Sequence, residues 1–142
     1  MDAENDEDEY YTIEKKNENQ FEGEIASLAT SGKRKVRIIQ SEIVASQPFH
    51  RELSNMVELE IIECVIKDRA LKDQTCNQLK RLTINDSHIQ FEDIAALKMD
   101  SLECLNLRDN EIMQIDPSVF ENMKMIKILD LSTLVFIQAK TI

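Results

Sequence analysis

The hydrophobic residues of this chain recur at a spacing that is neither the alternation of a long strand nor the period of a helix. In "LECLNLRDNEI", which begins at Leu102, apolar residues stand at the first, fourth, sixth and eleventh places, and Asn110 stands at the ninth. A period of two holds only across Leu105 and Leu107. The pattern predicts a short strand that is followed at once by a tight bend.

The same arrangement recurs along most of the chain. Three earlier segments repeat it in steps of 23 residues, namely "KRKVRIIQSEI", "MVELEIIECVI" and "LKRLTINDSHI". A fifth segment, "IKILDLS", is begun but is not completed before Ile142. The units therefore start at residues 33, 56, 79, 102 and 126. Recurrence at a fixed period indicates a repeat architecture.

The repeated pattern resembles that of the leucine-rich repeat family. The resemblance covers residues 33–142, and "LECLNLRDNEIMQIDPSVFENMKM" is similar to the 24-residue units of extracellular proteins of the Toll-like and insect immune type. It implies an α/β-type solenoid, a short right-handed array with a parallel sheet on its concave face and irregular or helical-turn returns on its convex face. Successive units must share one core, because a single unit cannot bury its apolar face.

The ninth place of each unit marks the point where the chain leaves its strand. The four complete units carry there Ser41, Cys64, Ser87 and Asn110. We expect these side chains to satisfy backbone groups that the bend would otherwise leave unpaired. Because asparagine occurs in only one of the four units, we also expect a less regular solenoid.

Residues 1–32 differ from the repeats in composition. "MDAENDEDEYYTIEKKNENQFEGE" is strongly acidic, is poor in large apolar residues and contributes much of the net charge of −10. We therefore expect an acidic, largely disordered head at 1–32 before the repeat array at 33–142. The tyrosines of "DEDEYY" suit tyrosine sulfation, but a solvated acidic tail is the favoured interpretation.

Residues that could carry catalysis are few. His88 and Cys104 fall in different units, beyond hydrogen-bond reach, so a Cys–His nucleophilic pair is not expected. The chain has no Cys-x-x-Cys spacing and only two glycines, which leaves no metal motif and no phosphate loop. The sequence predicts a protein that is not an enzyme and has no cofactor.

Charge and hydropathy also limit the partners. A net charge of −10 and a single basic cluster, "SGKRKVR", argue against nucleic acid. No apolar run is long enough to insert in a membrane, since "STLVFIQAKTI" is too short to span one. The three cysteines fall in different layers, so we predict three free thiols, with Cys64 the most buried.

The predicted concave face carries the candidate binding residues. Opposite charges in neighbouring units favour lateral pairing over ligand contact at five of its positions: Lys35, Glu58, Arg81, Arg37 and Glu60. Four further positions have no such pairing and are the better candidates for contact with a protein partner: Thr83, Asn106, Arg108 and Asp130. Glu60 and Arg81 complete the candidate set.

Together these features predict a noncatalytic protein-binding module. The resemblance implies a fragment of an extracellular receptor or secreted immune-type protein, and an intracellular scaffold or adaptor is the alternative. "MDAENDEDEY" is not a signal peptide, so the setting is cytoplasmic if Met1 is the true start and extracellular if an upstream segment is missing. The incomplete fifth unit leaves a bare apolar end, which favours self-association there.

Overall fold

Parallel strands organise the chain. A computed structural model describes residues 9–67, 69–112 and 114–131, except the side chains of Phe91 and Asn122. Its strands are β1 (Tyr10–Glu14), β2 (Lys35–Ile39), β3 (Glu42–Ile43), β4 (Glu58–Ile62), β5 (Val65–Ile66), β6 (Arg81–Asn85), β7 (Cys104–Asn106) and β8 (Ile128–Asp130). Six of them form one sheet in the order β1-β2-β4-β6-β7-β8, and β3 pairs with β5.

The register of the sheet joins residues that are one unit apart. Lys35 pairs with Glu58, and Glu58 pairs with Arg81. Arg81 then pairs with Cys104, which pairs with Ile128. The interval is 23 residues at each of these steps except the last, where it is 24. Equivalent residues of successive units therefore form continuous rows across the sheet.

The returns between the strands contain the helices. These are α1 (Glu18–Ser31), α2 (Gln47–Asn55), α3 (Phe91–Ala95) and a 3-10 helix (Pro117–Asn122). Ser46 caps α2 by accepting a hydrogen bond from the Phe49 amide, and Asp116 caps the 3-10 helix in the same way. Both prolines stand in the first turn of a helix, where a missing N–H breaks no hydrogen bond.

The hydrophobic core lies between the six-stranded sheet and the returns. Alternate strand residues, and Leu107 directly after β7, point inward and are fully buried. The strand residues are Ile13, Val36, Ile38, Leu59, Ile61, Leu82, Ile84 and Leu105. On the return side, the rings of Phe21 and Phe49 meet edge to face with centroids 5.2 Å apart. Leu129 in β8 continues the row of Leu105 but is 42% exposed.

A line of buried polar side chains runs through the bends at the ninth places. Ser41 Oγ accepts a hydrogen bond from the Lys16 amide at 3.0 Å. Ser87 Oγ accepts one from the Cys64 amide at 3.1 Å, and Asn110 Oδ1 accepts one from the Ser87 amide at 2.9 Å. Each of these side chains thus satisfies a backbone donor of the preceding unit, as expected from the sequence.

All four ninth-place residues also donate hydrogen bonds to backbone carbonyls, and two of them reach the strand of the preceding unit. Asn110 Nδ2 donates to the Ile84 carbonyl in the preceding strand and to the Leu107 carbonyl at 3.0 Å. Cys64 Sγ donates to the Ile38 carbonyl, again in the preceding strand, at 3.3 Å. Asn110 and Cys64 therefore tie their own bends to the strand of the previous unit.

The residue immediately before each ninth-place residue has a left-handed backbone, and so does Lys15 at the equivalent point after β1. The φ angles are 56° at Lys15, 48° at Gln40, 52° at Glu63, 51° at Asp86 and 64° at Asp109. This region costs an ordinary L-residue roughly 1–2 kcal/mol. The bends are therefore built without glycine, and neighbouring hydrogen bonds, such as that from the Gln40 amide to the Ile62 carbonyl at 2.9 Å, hold them in place.

Residues 10–31 form a strand and the longest helix, so the expectation of a largely disordered head is wrong for this stretch. β1 pairs with β2, and α1 buries Phe21, Ile25 and Leu28. Asn17 and Gln20 form a capping box at the start of α1. The high charge conceals an amphipathic helix whose large apolar residues all lie on one face. Residues 1–8 lie outside the described residues.

Apolar side chains are exposed near the last described strand. Ile128 is 55% exposed, and Met125 and Leu129 are also exposed. The completion of the fifth unit falls on residues 132–142, which lie outside the described residues. Self-association through this end therefore stays a prediction.

Candidate protein-binding face

Side chains that point away from the core form a face on the six-stranded sheet, here called the outer face. Strand alternation places there the third- and fifth-place residues of each unit, because the residues between them point inward. These are Lys35, Arg37, Glu58, Glu60, Arg81, Thr83, Cys104, Asn106, Ile128 and Asp130, and all are half-buried or exposed. This face corresponds to the predicted concave surface.

On β1, β2 and β4 the outer face is closed by contacts between its own side chains, and we call this part the closed half. Lys35 Nζ lies 2.5 Å from a Glu9 carboxylate oxygen and 3.3 Å from one of Glu58. The Tyr10 hydroxyl donates a hydrogen bond to the Glu58 carboxylate at 2.6 Å. The Lys35–Glu58 pair is the lateral pairing that their opposite charges predicted.

A second set of contacts completes the closed half. Arg37 Nε lies 2.7 Å from Glu60 Oε1, which is the other predicted lateral pair. The Arg37 guanidinium carbon also lies 4.2 Å from the centroid of the Tyr10 ring, a cation–π contact. Glu60, one of the six candidate residues, is therefore already engaged inside the fold.

The two adjacent tyrosines are part of the folded structure. Burial, followed by the hydrogen bond to Glu58, raises the pKa of Tyr10 far above its usual range. The Tyr11 hydroxyl donates to the Glu24 carboxylate at 2.9 Å, and burial raises the pKa of Tyr11 as well. Both hydroxyls are held by carboxylates of this chain, which disfavours the sulfation alternative for the folded protein.

Arg81 departs from the predicted alternation of paired charges. It lies beside Glu58 in the sheet register and is exposed, yet it forms no ion pair with any described residue. Glu58 is instead held by Lys35 and Tyr10, which approach from the opposite side. The predicted pairing is therefore wrong for Arg81.

The outer face of β6, β7 and β8 carries few internal contacts, and we call this part the open half. One row runs from Arg81 through Cys104 to Ile128. The adjacent row holds Thr83, Asn106 and Asp130. Five of the six candidate residues lie on this part of the sheet or at its rim, and Glu60 is the exception.

Arg108, at the rim of the open half, has partners that the sequence did not predict. Its Nε lies 3.9 Å from Asp130 Oδ2, and the two side chains are 48% and 38% exposed. Asn106 Oδ1 accepts a hydrogen bond from the Arg108 amide at 3.1 Å. The expectation that Asn106, Arg108 and Asp130 have no partners within the chain is therefore wrong. A pair this exposed contributes at most about 1 kcal/mol and can be exchanged for a ligand.

Sequence reasoning missed the residues that lock the closed half, Glu9 and Tyr10, because they were assigned to a disordered head. Two signals were present. "YYTIE" is rich in aromatic and β-branched residues, as strands are. Asn17 followed three residues later by Gln20 marks a helix start.

The cysteines are all free, as predicted, but the most buried of them is Cys76 rather than Cys64. Burial raises the pKa of Cys76 to about 11 and also raises that of Cys64. Cys76 lies on a return and packs into the shared core, which the strand-based register does not describe. Cys104 is half-buried in the open half.

Within the described part of the chain, no group of three His, Cys, Asp or Glu side chains could hold a metal ion. His50 Nε2 lies 3.1 Å from the Ala70 carbonyl, so this ring is engaged by the backbone. The helices among the described residues include none that is long and apolar enough to cross a membrane.

Comparison with known protein families matches one part of the chain. The family model of the leucine rich repeat matches residues 77–133, a stretch that contains β6, β7 and β8. No significant match was found among curated proteins or among solved structures. The matched stretch is the one that carries the open half of the outer face.

Proposed function

We propose that this chain is a noncatalytic protein-binding module of leucine-rich repeat type whose open half contacts the partner. The division of the outer face carries this proposal. In the closed half the charged side chains pair with one another, whereas Arg81 and Ile128 in the open half remain exposed. A partner can cover the row from Arg81 to Ile128 without breaking an ion pair between described residues.

Desolvation explains why the closed half is the weaker candidate. A partner that covered Glu58 or Glu60 would remove water from carboxylates that already have partners, and it would gain no new bond in return. In the open half, Thr83 and Asn106 are half-buried on a rigid sheet, where little side-chain entropy is lost on binding.

The proposed architecture is a short right-handed solenoid with the outer face on its concave side. The parallel register at intervals of 23 and 24 residues supports it, because each unit then adds one strand beside the last. A concave sheet would direct the open-half side chains toward one ligand.

For the wider setting we propose a fragment of an extracellular receptor or secreted immune-type protein, of the Toll-like or insect immune kind. The unit at residues 102–125 supports this proposal through its sequence pattern. The alternative, an intracellular scaffold or adaptor, is favoured by the three free thiols, since secreted proteins tend to pair theirs. Full-length transcripts test the two: an upstream signal peptide supports the first, and a transcript that begins at Met1 supports the second.

Site-specific photocrosslinking tests the proposed face. A benzoylphenylalanine at Thr83, in the purified chain added to an extract of its source cells, should crosslink to a discrete protein, and excess unlabelled chain should compete. The matched control places the same group at Lys124, which is exposed on a return. Specific crosslinking from position 124 and none from position 83 would overturn the proposed face.

A further inference from the structure

The open half contains a cation, Arg81, that no described residue neutralises. Glu58, the carboxylate next to Arg81 in the register, lies 2.6 Å from the Tyr10 hydroxyl and 3.3 Å from Lys35 Nζ. Glu60 is the next residue of β4 on the same face, and its carboxylate lies 2.7 Å from Arg37 Nε. Both acidic neighbours are thus drawn toward β2, and Arg81 has no ion pair within the described residues.

An exposed apolar side chain lies in the same row. Cys104 pairs with Arg81 on one side and with Ile128 on the other. Because neighbouring strands lie about 4.8 Å apart, Arg81 and Ile128 are separated by roughly 10 Å. The smaller, half-buried Cys104 forms the low point between the two. The row therefore offers a cationic contact at one end and an apolar contact at the other.

We infer that the partner of the open half presents a linear segment that combines an acidic and an apolar side chain. The carboxylate binds the Arg81 guanidinium, which favours bidentate pairing with planar anions, and the apolar side chain packs on Ile128. A segment in the polyproline II conformation has residues three apart on one side, at about 9 Å, which matches this row. This inference rests on the proposed function and adds the chemistry of the partner.

The surrounding charges fit the same partner. Arg108 is only loosely held by Asp130, at 3.9 Å, and can turn to a second carboxylate of the segment. A basic segment would instead bring like charges next to Arg81 and Arg108. The net charge of −10 opposes an acidic partner at long range, but at physiological ionic strength this repulsion is screened beyond about 8 Å. The contact at Arg81 is not screened in this way.

Selection from a random 12-residue peptide display library tests the inference with a defined probe. The whole chain, immobilised, should enrich peptides that carry Asp or Glu three residues from an aliphatic or aromatic residue. These peptides should bind Arg81→Gln about tenfold more weakly or worse, because a charge-assisted pair is lost. Arg81→Glu should instead enrich Lys or Arg at the acidic position. Lys124→Glu, on a return, is the matched control and should bind as the original chain does.

The outcomes separate the inference from the function on which it rests. Selected peptides without an acidic preference, whose binding is nevertheless lost in Asn106→Ala, would overturn the acidic partner and leave the open half as the binding face. Peptides that lose affinity only in Lys124→Glu would overturn both. No enrichment over a blank support would also overturn the inference, since a linear segment is then insufficient. Unchanged circular dichroism of both Arg81 variants excludes misfolding as the cause.

Discussion

Asn110 Oδ1 accepts a hydrogen bond from the backbone amide of Ser87 at 2.9 Å, although the two residues are 23 positions apart in the chain. This separation of 23 residues equals one repeat, so the hydrogen bond joins equivalent positions of two successive bends. Asn110 is fully buried and also donates to the Leu107 carbonyl of its own unit and to the Ile84 carbonyl of the preceding unit. It therefore connects two units through polar groups that water cannot reach.

Replacing Asn110 by alanine should destabilise the chain by about 3 kcal/mol, because buried backbone donors and acceptors lose their partners. Urea unfolding, followed by circular dichroism, measures the change. Asn106→Ala is the matched control, since the same amide lies half-buried on the outer face. It should cost less than about 1 kcal/mol. Similar midpoints for the two variants would contradict the role of Asn110 in joining the units.

Leu105 and Leu129 occupy the same row of the sheet and provide a test of where the core ends. Leu105 is fully buried, so Leu105→Ala should cost on the order of 2–5 kcal/mol. Leu129 is 42% exposed, and the same substitution there should cost about 1 kcal/mol or less. A larger loss of stability for Leu129→Ala would show that its side chain is covered in solution, by another chain or by residues beyond those described.

Replacing Gln40 by glycine should stabilise the folded chain. The φ of 48° at Gln40 lies in the left-handed region, where a side chain costs roughly 1–2 kcal/mol that glycine avoids. Gln40→Gly also keeps the amide that donates to the Ile62 carbonyl. We expect the free energy of unfolding to rise by about 1 kcal/mol or less, because the greater conformational freedom of glycine in the unfolded chain offsets part of the relieved strain.

The control for this change is Thr12→Gly, at an exposed position inside β1. Glycine there should destabilise, because strand backbone needs no left-handed residue and glycine adds entropy to the unfolded chain. Thermal unfolding of the two variants should shift in opposite directions. A loss of stability in Gln40→Gly would mean that the Gln40 side chain makes a contact worth more than the backbone strain.

The raised pKa of Tyr10 should make the folded chain less stable at alkaline pH. The pKa of Tyr10 is raised in the folded chain above the ordinary value of 10.0, so its contribution is complete below pH 10 and is lost as pH rises toward the folded pKa. Above pH 10 the unfolded chain ionises first, which pulls the equilibrium toward unfolding. Urea midpoints at pH 8 and pH 11 should therefore differ more in the original chain than in Tyr10→Phe. Lysines such as Lys35 titrate in both chains and cancel in this comparison.

Binding should depend on the open half and its rim. Arg108→Glu reverses a charge whose side chain is 48% exposed, and Asn106→Ala shortens a half-buried side chain in the centre. Both should weaken capture of the partner identified by crosslinking, while the free energy of unfolding changes by less than about 1 kcal/mol. Lys124→Glu should leave capture unchanged, and the reverse pattern would move the binding face to the returns.

The spacing of residues along the chain is enough to predict the features that recur in every unit. The apolar places of each unit point inward because strand alternation leaves them no other face, so the burial of Leu105 and Leu107 followed from their positions in the repeat. The hydrogen-bonding role of Asn110 followed in the same way, since a bend beside a strand leaves backbone groups that need a partner. A fixed period turns each such local rule into a prediction for every unit.

Features that depend on one particular neighbouring side chain could be seen only in the folded chain. The average composition of residues 10–31 gave no sign that they fold. The few large apolar residues of α1 stabilise this stretch only by packing on other units, as Phe21 does on Phe49. Charge alternation predicted an ion pair for Arg81, yet Glu58 could bind on either side, and Tyr10 and Lys35 drew it away. Spacing along the chain shows which side chains are near each other, but burial and competing partners decide which of them bind.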